Sequence, residues 1–427
     1  MKASLYKLPL LLAACVSFLD VQGQASGSPS PSPEPCPGVS EHRTVTVNGK
    51  VYTAVVVGEA AKATVYVNGQ GPSAAGQPDI VVVERASAQV PGAYAAEKSK
   101  NVNRSFKVSS SDKLSIDNQF GKVEVQTWSK NEISVEVSMI SRAETESKAQ
   151  EILDRLSVRI SEDRGGAGIS LVTEREPMHV RTATSKSFEI NYLVKMPKGN
   201  PLKIVNKHGS ILLPDYEGAT ELTMKYGKIN TGRLTNRHNK VALEYSSGEC
   251  VMQYMRAGEL LVRYSKLALN GGEDINANTA YSTMSIQKVD NLILESRYDP
   301  VFKVGSVNQM SGRGSYTTFI IGNVQESLGM DLKYCSKFEV GSIASNFRKV
   351  DLNGGYTSIK LGFADKTNFN FDVNTAYCSG LKVDENLVDY SFREVKNTSA
   401  VYKGKYGKSS GKALVTVTNR YGSVSFN

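Results

Sequence analysis

A tyrosine followed by a small or turn-prone residue recurs throughout the second half of the chain. The pairs are Tyr226-Gly227, Tyr245-Ser246, Tyr264-Ser265, Tyr281-Ser282, Tyr298-Asp299, Tyr316-Thr317, Tyr334-Cys335, Tyr356-Thr357 and Tyr377-Cys378. The steps between successive tyrosines are 19, 19, 17, 17, 18, 18, 22 and 21 residues. A period of this length is the sequence signature of a repeat architecture, so it constrains the fold more than any other feature.

The apolar residues of one unit alternate as in a β-strand, but the alternation slips after the tyrosine. In residues 316–334 they fall at Tyr316, Phe319, Ile321, Val324, Leu328, Met330, Leu332 and Tyr334. A slip of one residue reverses the two faces of a strand. The residues after each tyrosine are therefore predicted to form a corner, where the chain turns and keeps its apolar side inward. A chain that turns in this way at fixed intervals forms a coil.

The sequence thus predicts an all-β fold, namely a parallel β-solenoid (β-helix) with rungs of about 18–20 residues over residues 201–427. One rung cannot bury its own apolar side chains, whereas stacked rungs share a continuous core. Equivalent tyrosines would then form a structural ladder, comprising Tyr226, Tyr245, Tyr264, Tyr281, Tyr298, Tyr316 and Tyr334. Phe120-Gly121 and His208-Gly209 occupy the same place earlier in the chain, and Tyr406-Gly407 and Tyr421-Gly422 continue the motif to its end.

The N-terminus has the features of a bacterial signal peptide, predicted to span residues 1–25. Lys2 and Lys7 precede an apolar run at 8–19 that is too short to cross a bilayer as a helix. Leu12 to Cys15 resembles a lipobox, so lipidation of Cys15 is a second hypothesis. Ordinary cleavage is favoured because the apolar run continues beyond Cys15. Export is predicted, to the periplasm, the outer-membrane surface or the medium of a Gram-negative cell.

Two segments separate the signal peptide from the repeats. Residues 26–38 form a Pro/Ser-rich linker, and residues 39–93 are predicted to form a small β module with a hairpin at Asn48-Gly49. Residues 103–200 start the repeat domain. Within them the period becomes helical, which predicts one amphipathic helix at about 142–157. We expect this helix to begin with a capping box formed by Ser141 and Glu144, and to cap the N-terminal end of the coil.

Four cysteines remain after predicted processing: Cys36, Cys250, Cys335 and Cys378. Their spacing matches no zinc-binding pattern. Cys335 and Cys378 occupy the same place in two units, with the Tyr356 unit between them. Stacked strands would hold them ~9–10 Å apart, whereas a disulfide needs Cα atoms within ~7 Å. We therefore predict that these two cysteines do not pair.

The formal net charge of +9 indicates possible partners rather than a fold. A solvated basic surface is the favoured interpretation of this charge, and an anionic partner, such as an acidic polysaccharide or lipid head groups, is the alternative. The sequence identifies no partner; an anionic glycan and an envelope protein are the candidates. No nucleic-acid partner is expected.

Motifs for catalysis and for metal binding are missing from the sequence. We find no nucleophile elbow, no HExxH motif and no P-loop. Asp274-x-Asn276-x-Asn278 resembles the start of a calcium loop, but Ser285 stands where the glutamate of such a loop belongs. The protein is therefore expected to be no enzyme, and to need no cofactor and no metal.

Three stretches resemble a known family: DKLSIDNQFGKVEVQTWSKNEISVEVSM, AQEILDRLSV and FEINYLVKMPKGNPLKIVNKHGSI. They are similar to the exported bacterial proteins that carry the domain named putative adhesin. The resemblance covers about residues 103–427 and includes the ladder of tyrosine units. It implies a β-solenoid in the Gram-negative envelope with an adhesive or scaffolding role, and it brings no catalytic residues. Residues 39–93 lie outside it.

A partner face is predicted where the units lengthen, around residues 350–380. Extra turn residues in NGGYTS and NTAYCSG would form that face, which contains Asn353, Tyr356, Asn374 and Tyr377. The tyrosine ladder itself could bind sugars by stacking only if its rings faced solvent. Its regular recurrence favours a structural role.

The function predicted from the sequence is that of a non-catalytic, adhesin-like or scaffolding protein whose ligand is not identified. One alternative is a structural solenoid that self-assembles through its C-terminal end. The segment ALVTVTNRYGSVSFN has no visible cap there, so it would offer a free sheet edge. A second alternative is a carbohydrate-active enzyme built on a β-helix.

Overall fold

The computed structural model describes residues 41–47, 50–57, 64–67, 80–81, 95–163, 168–177, 187–246, 248–409 and 411–427. The predicted signal peptide, with Cys15, and the predicted linker, with Cys36, lie outside these residues. Contacts divide the chain into two units, Met1–Val90 and Pro91–Asn427.

The described part of the first unit is a four-stranded antiparallel sheet. Its strands, in sheet order, are β1 (Glu41–Val47), β2 (Lys50–Val57), β3 (Thr64–Val67) and β4 (Ile80–Val81). Val47 pairs with Lys50, so two residues connect the first two strands. This is the connection length that Asn48-Gly49 predicts.

The described part of the second unit is almost entirely β-structure, so the predicted all-β class is confirmed. Its elements are β5 (Ala96–Lys107), β6 (Leu114–Gln119), β7 (Lys122–Trp128), β8 (Glu132–Ala143), α1 (Glu146–Asp154), β9 (Leu156–Asp163), β10 (Gly168–Arg175), β11 (Ser187–Pro197), β12 (Leu202–Lys207), β13 (Ser210–Leu213), β14 (Thr220–Lys225), β15 (Lys228–Leu234), β16 (Asn239–Glu244), β17 (Cys250–Arg263), β18 (Lys266–Ala280), β19 (Thr283–Arg297), β20 (Val301–Ser315), β21 (Thr318–Lys333), β22 (Lys337–Ile343), β23 (Lys349–Gly355), β24 (Ser358–Phe363), β25 (Phe369–Ala376), β26 (Leu381–Lys382), the 3-10 helix η1 (Glu385–Leu387), β27 (Val388–Val395), β28 (Ser399–Tyr406), β29 (Ala413–Arg420) and β30 (Ser423–Phe426).

The repeat in the sequence corresponds to the register of strand pairing. β18 pairs with β19 in parallel, from Lys266 opposite Thr283 to Ala280 opposite Arg297, an offset of 17 residues. β19 pairs with β20 in the same way, at an offset of 18 residues from Arg297 to Ser315. Residues at the same place in successive units therefore lie side by side across neighbouring strands, in a solenoid-like sheet.

Each long strand, such as β18, has two bends that the sequence pattern does not predict. In β18 the inward residues are Leu267, Leu269, Gly272, Ile275, Ala277 and Thr279. Two of the steps between them, on either side of Gly272, are three residues long instead of two. Each long step turns the strand and keeps its inner face toward the core. A unit thus has the corner at the tyrosine and two gentler bends inside the strand.

The corner is formed by the tyrosine itself. The ten tyrosines at this place have φ between 50° and 57°, and Phe120 and His208 have φ of 63° and 57°. Residues other than glycine rarely adopt this left-handed conformation, which costs ~1–2 kcal/mol. The conformation is repeated at every unit, so other interactions must compensate for it.

Where the residue after the tyrosine has a hydroxyl group, it supplies one compensating interaction. Ser265 is buried; its hydroxyl accepts a hydrogen bond from the Ser246 amide at 3.0 Å and donates one to the Arg263 carbonyl at 2.6 Å. Ser282 repeats both contacts, accepting from the Ser265 amide at 3.2 Å and donating to the Ala280 carbonyl at 2.7 Å. These side chains satisfy backbone groups that the turn removes from the strand ladder. The sequence pattern indicated only that a small residue was needed there.

The α-helix of the second unit is shorter than predicted. α1 covers Glu146–Asp154 rather than 142–157, because β8 continues to Ala143 and β9 begins at Leu156. The predicted capping box is also wrong. Thr145 caps the helix by accepting from the Lys148 amide at 3.3 Å, and Ser141 instead donates to the Ala149 carbonyl at 2.7 Å.

The C-terminal segment is not the end of the sheet, which corrects the predicted free edge. β29 pairs in parallel with β23 on one side and with β25 on the other, and β30 lies between β24 and β26. The last strands of the chain are therefore inserted between two earlier units. The antiparallel run β25–β28–β27 follows at this end instead. Self-association through the segment ALVTVTNRYGSVSFN would need edges that are already paired.

Two further sequence predictions have clear outcomes. Tyr406 does not continue the motif: it is buried at the end of antiparallel β28, with its ring 4.6 Å from that of Phe369.

The prediction for the cysteines is confirmed, since Cys335 and Cys378 are both free. Their separation is larger than expected, because the inserted C-terminal unit lies between them in addition to the Tyr356 unit.

Asp299 stands where five other units place a hydroxyl, and it is buried there. Its carboxylate accepts hydrogen bonds from the Ser282 amide at 2.7 Å, from the Ser296 hydroxyl at 2.6 Å and from the Thr279 hydroxyl. Burial raises the pKa of Asp299 above its ordinary value, although these hydrogen bonds act in the opposite direction.

We predict that Asp299→Asn changes the pH dependence of stability. Because the folded-state pKa is raised, the wild-type side chain favours folding most below its unfolded pKa and loses that contribution as pH rises through the folded value. The Tm of the wild type minus that of the variant should therefore be larger at pH 4 than at pH 7. Calorimetry at several pH values measures it. A difference that does not vary with pH would contradict the assignment.

Candidate functional site

A continuous stack of aromatic rings runs along the corner of the second unit. In spatial order its members are Phe120, His208, Tyr226, Tyr245, Tyr264, Tyr281, Tyr298, Tyr316, Tyr334, Tyr356, Tyr421 and Tyr377. Adjacent centroids are 4.6–5.3 Å apart and adjacent rings are within 13° of parallel, which gives a length of about 54 Å. The seven tyrosines predicted as a ladder all lie in this stack.

The rings are exposed at their edges and covered on their faces. The ten stacked tyrosines have 44–58% of their surface exposed. Each interior ring has a neighbouring ring against both faces, so a sugar has no free face on which to stack. Only the ring edges and hydroxyl groups are available to a ligand along most of the stack. The ladder is therefore both structural and partly exposed, and sequence reasoning had treated these two properties as alternatives.

The two ends of the stack differ. At the N-terminal end the ring of Phe188 meets Phe120 edge-on at 5.0 Å, and the Arg175 guanidinium lies 5.5 Å from the Phe120 centroid. At the other end Tyr377 contacts Tyr421 on one face only among the described residues. Tyr377 is also the most exposed of the stacked tyrosines, at 58%.

A groove lies beside the stack, on the outer face of strands β18 to β21, β23 and β29. It consists of two adjoining concavities of about 690 and 600 Å³. The polar and small residues that line it include Glu295, Arg297, Arg313, Gly329, Asp331, Lys333, Asn353, Gly355, Thr418 and Arg420. Tyr356 and Tyr421 form its border with the stack. We refer to this surface as the groove.

Two cations of the groove, Lys333 and Arg420, form no ion pair within the described part of the chain. Glu295 forms ion pairs with Arg297 and, at 3.3 Å, with Arg313. Asp351 pairs with Lys349 at 2.7 Å. Asp331 accepts a hydrogen bond from the side-chain amide of Asn353 at 3.3 Å and has no ion pair among the described residues. The charge left without an ion pair in the groove is therefore positive on balance.

The predicted partner face lies at one end of the groove. Asn353 and Asn374 both pair with Thr418, from opposite sides of β29. Tyr356 and Tyr377 likewise stand on either side of Tyr421 in the stack. The four predicted residues thus share a face, but with a strand between them.

The sequence argument for that face was wrong in one respect. The extra residues of the two longer units lie in turns at 344–348 and 364–368, away from the tyrosines. The argument also missed Arg420 and Tyr421, because no local signal shows that the C-terminal segment is inserted there. Only their tyrosine-glycine motif could have indicated a place in the stack.

Other candidate centres do not assemble. Within the described residues, no group of three or more His, Cys, Asp or Glu side chains could hold a metal ion. The resemblance to a calcium loop at Asp274 is explained by local contacts, since Asn291 donates to its carboxylate at 2.7 Å and Arg237 lies 3.6 Å away. None of the described helices is both long enough and apolar enough to cross a membrane.

We predict that Tyr281→Ala destabilises the protein by about 1–3 kcal/mol, because it removes two stacking contacts worth about 0.5–1.5 kcal/mol each and keeps the left-handed backbone. The rings of Tyr264 and Tyr298 are 4.8 and 5.0 Å from that of Tyr281. Tyr281→Gly should lose less stability, because glycine adopts positive φ without strain. Tyr281→Phe is the matched control and should behave as the wild type in chemical denaturation. An alanine variant as stable as the phenylalanine variant would show that the stack contributes nothing.

The chain was compared with known proteins. No family model and no curated protein matches it. Among solved structures it is similar to a putative cell adhesion protein from Clostridium sporogenes, at 10% identity over 77% of this chain and 99% of that one, with a TM-score of 0.18. A putative adhesin from Bacteroides fragilis matches at 10% identity over 77% and 97%, with a TM-score of 0.21. A putative lipid binding protein from Parabacteroides distasonis matches at 9% identity over 77% and 96%, with a TM-score of 0.22.

The solved structures that resemble this chain thus include proteins described as adhesins, the group whose domain the sequence resembles.

Proposed function

We propose that the protein is a non-catalytic, adhesin-like binding protein of the Gram-negative envelope, exported through the signal peptide predicted at residues 1–25. Its second unit is a parallel β-solenoid with a helix at the N-terminal end. The parallel registers of β17 to β21, at offsets of 17 and 18 residues, support a coil of stacked rungs. The contacts of α1 with β5, β8 and β9 support its place at that end.

The observation that carries the proposal is the groove beside a rigid, repeating stack. The stack presents a ring edge every 4.6–5.3 Å for about 54 Å, and each ring is fixed by its neighbours and by the corner. A surface that is already ordered loses little entropy when it binds. Many weak contacts to one extended polymer can then add up to useful avidity. This arrangement suits attachment to a polymer better than enclosure of a small molecule.

The contacts of the acidic side chains support a non-catalytic role. A general acid or base must reach the proton that it transfers. Glu295 instead forms ion pairs with Arg297 and Arg313, and the Asp331 carboxylate accepts a hydrogen bond from the side-chain amide of Asn353. The proposed groove therefore binds its ligand and leaves it intact.

Structural self-assembly is the second candidate, and one observation favours it. Within the described residues β27 pairs with β28 on one side only, and it exposes Phe392 and Val395, at 48% and 62%. An unpaired edge with apolar side chains is a place where another chain can add a strand. This edge replaces the C-terminal segment as the site of assembly. Sedimentation of the wild type and of Phe392→Glu tests it: a mass that rises with concentration only in the wild type supports assembly.

The proposed function predicts saturable binding of residues 26–427 to at least one extended glycan, without its cleavage. Neutral glycans, acidic glycans and anionic liposomes would be titrated by isothermal calorimetry across a salt series. Contacts made by exposed charges weaken as salt increases. Chain length of the glycan would be followed by size-exclusion chromatography before and after incubation.

Two outcomes would count against the proposal. The absence of binding to every probe at low salt would remove the binding role. Shortening of a bound glycan would replace it with the enzymatic alternative.

A further inference from the structure

The residue before each stacked tyrosine alternates between a cation and a small side chain over eight consecutive units. In spatial order the residues are Arg263, Ala280, Arg297, Ser315, Lys333, Gly355, Arg420 and Ala376. Each is paired with the next across neighbouring strands, so they form one straight row. The row borders the groove. The alternation continues to its end because the inserted strand β29 places Arg420 between Gly355 and Ala376. In chain order these two small residues would be neighbours, and the alternation would end there.

The cations of this row recur at every second strand. Between the tyrosines beside Arg297 and Lys333 there are two ring steps, of 4.8 and 5.0 Å. Between those beside Lys333 and Arg420 the steps are 4.9 and 4.6 Å. The positive charges of this row are therefore repeated about every 10 Å, which agrees with twice the usual spacing of strands. Arg313 lies on the strand between Arg297 and Lys333 but outside the row, and it forms an ion pair with Glu295.

Two glycines of the groove have no structural reason to be glycine. A Cβ at Gly355 would meet no atom within 4 Å, and one at Gly329 would meet only the Asp351 carbonyl, at 4.0 Å. Neither glycine has a positive φ. Glycine inside a strand weakens it, and it often marks a place where a ligand or another backbone comes close. No backbone comes close to Gly355. Because this residue has no side chain, space is left at the base of the groove between Lys333 and Arg420.

We propose that the groove binds a linear acidic glycan that runs across the strands and carries one carboxylate on every second sugar. This inference rests on the proposed function and names the class of its ligand. The carboxylates would face Arg297, Lys333 and Arg420, and the uncharged sugars would lie over Ser315 and Gly355. A glycan with one carboxylate per disaccharide has a charge period of this size.

The test compares three polymers: hyaluronan, with a carboxylate on every second sugar, polygalacturonate, with one on every sugar, and neutral dextran. The variant R297S/K333S/R420S replaces the three cations with a residue that the row itself uses at Ser315. It should bind hyaluronan about tenfold more weakly or worse, because several charge contacts are lost together.

The matched control is K288S/K303S/K382S. It removes the same charge from exposed residues outside the groove that form no ion pair within the described residues. It should bind hyaluronan within twofold of the wild type. An equal loss in both variants would show that only the overall charge matters, and this would overturn the inference.

A second variant, Gly355→Lys, tests the period directly. The open space around Gly355 allows the substitution without a steric clash, so the fold is preserved. The added cation makes three neighbouring positions charged and should shift preference from hyaluronan toward polygalacturonate. Circular dichroism and thermal melting check that the variant is folded.

The outcomes separate this inference from the proposed function. Tighter binding of the wild type to hyaluronan than to the other two polymers, lost in the triple variant, supports it. Equal binding of hyaluronan by the wild type and the triple variant overturns it and leaves the binding role in place. The same holds if dextran or polygalacturonate binds at least as tightly as hyaluronan. Absence of binding to all three polymers, to other glycans and to liposomes overturns both.

Discussion

The left-handed corner at each tyrosine is the constraint on which the second unit depends. It turns the chain once per unit and is strained for any side chain other than glycine. Two interactions compensate: ring stacking with the units on either side, and the hydrogen bonds of the next residue to the neighbouring unit. Both act between units, so neither is available to a unit alone. This explains why the motif is an aromatic residue followed, in eight of the twelve stacked units, by Ser, Thr, Cys or Asp, and why it recurs in register; glycine follows in the other four.

The same constraint shapes the surface available to a partner. Because the rings cover one another, the stack offers edges and hydroxyl groups rather than faces, and the stacking of sugars on aromatic rings is not available along it. Recognition then depends on the strands beside the stack, where side chains alternate in and out. Outward residues at equivalent places form straight rows across the sheet. In one such row the charged residues Arg297 and Lys333 alternate with the small residues Ser315 and Gly355. The row therefore presents evenly spaced positive charges on a rigid surface.

The sequence predicted what depends on neighbouring units and missed what depends on distant parts of the chain. The period, the corner, the all-β class and the unpaired cysteines follow from the repeat. The placement of β29 and β30 between β23 and β25 does not, because a strand pattern says which face is buried and not which strand lies next to it. For this reason Arg420 and Tyr421 were absent from the predicted site, and Tyr406 was wrongly placed in the stack. The helix was predicted too long because Leu156 lies at helical spacing from Ile152 and Leu153 although it begins β9, and because Ser141 in β8 was interpreted as the cap.

The central claim is that the groove binds an extended acidic polymer across several rungs and recognises the spacing of its carboxylates. The most direct measurement is the affinity of the wild type for hyaluronan oligosaccharides of increasing length, by isothermal calorimetry at fixed salt. The account predicts that affinity rises in steps of two sugars, one step for each further cation of the row, and then levels off when the row is filled. An affinity that is complete with one disaccharide, or that rises equally with every sugar, would contradict it.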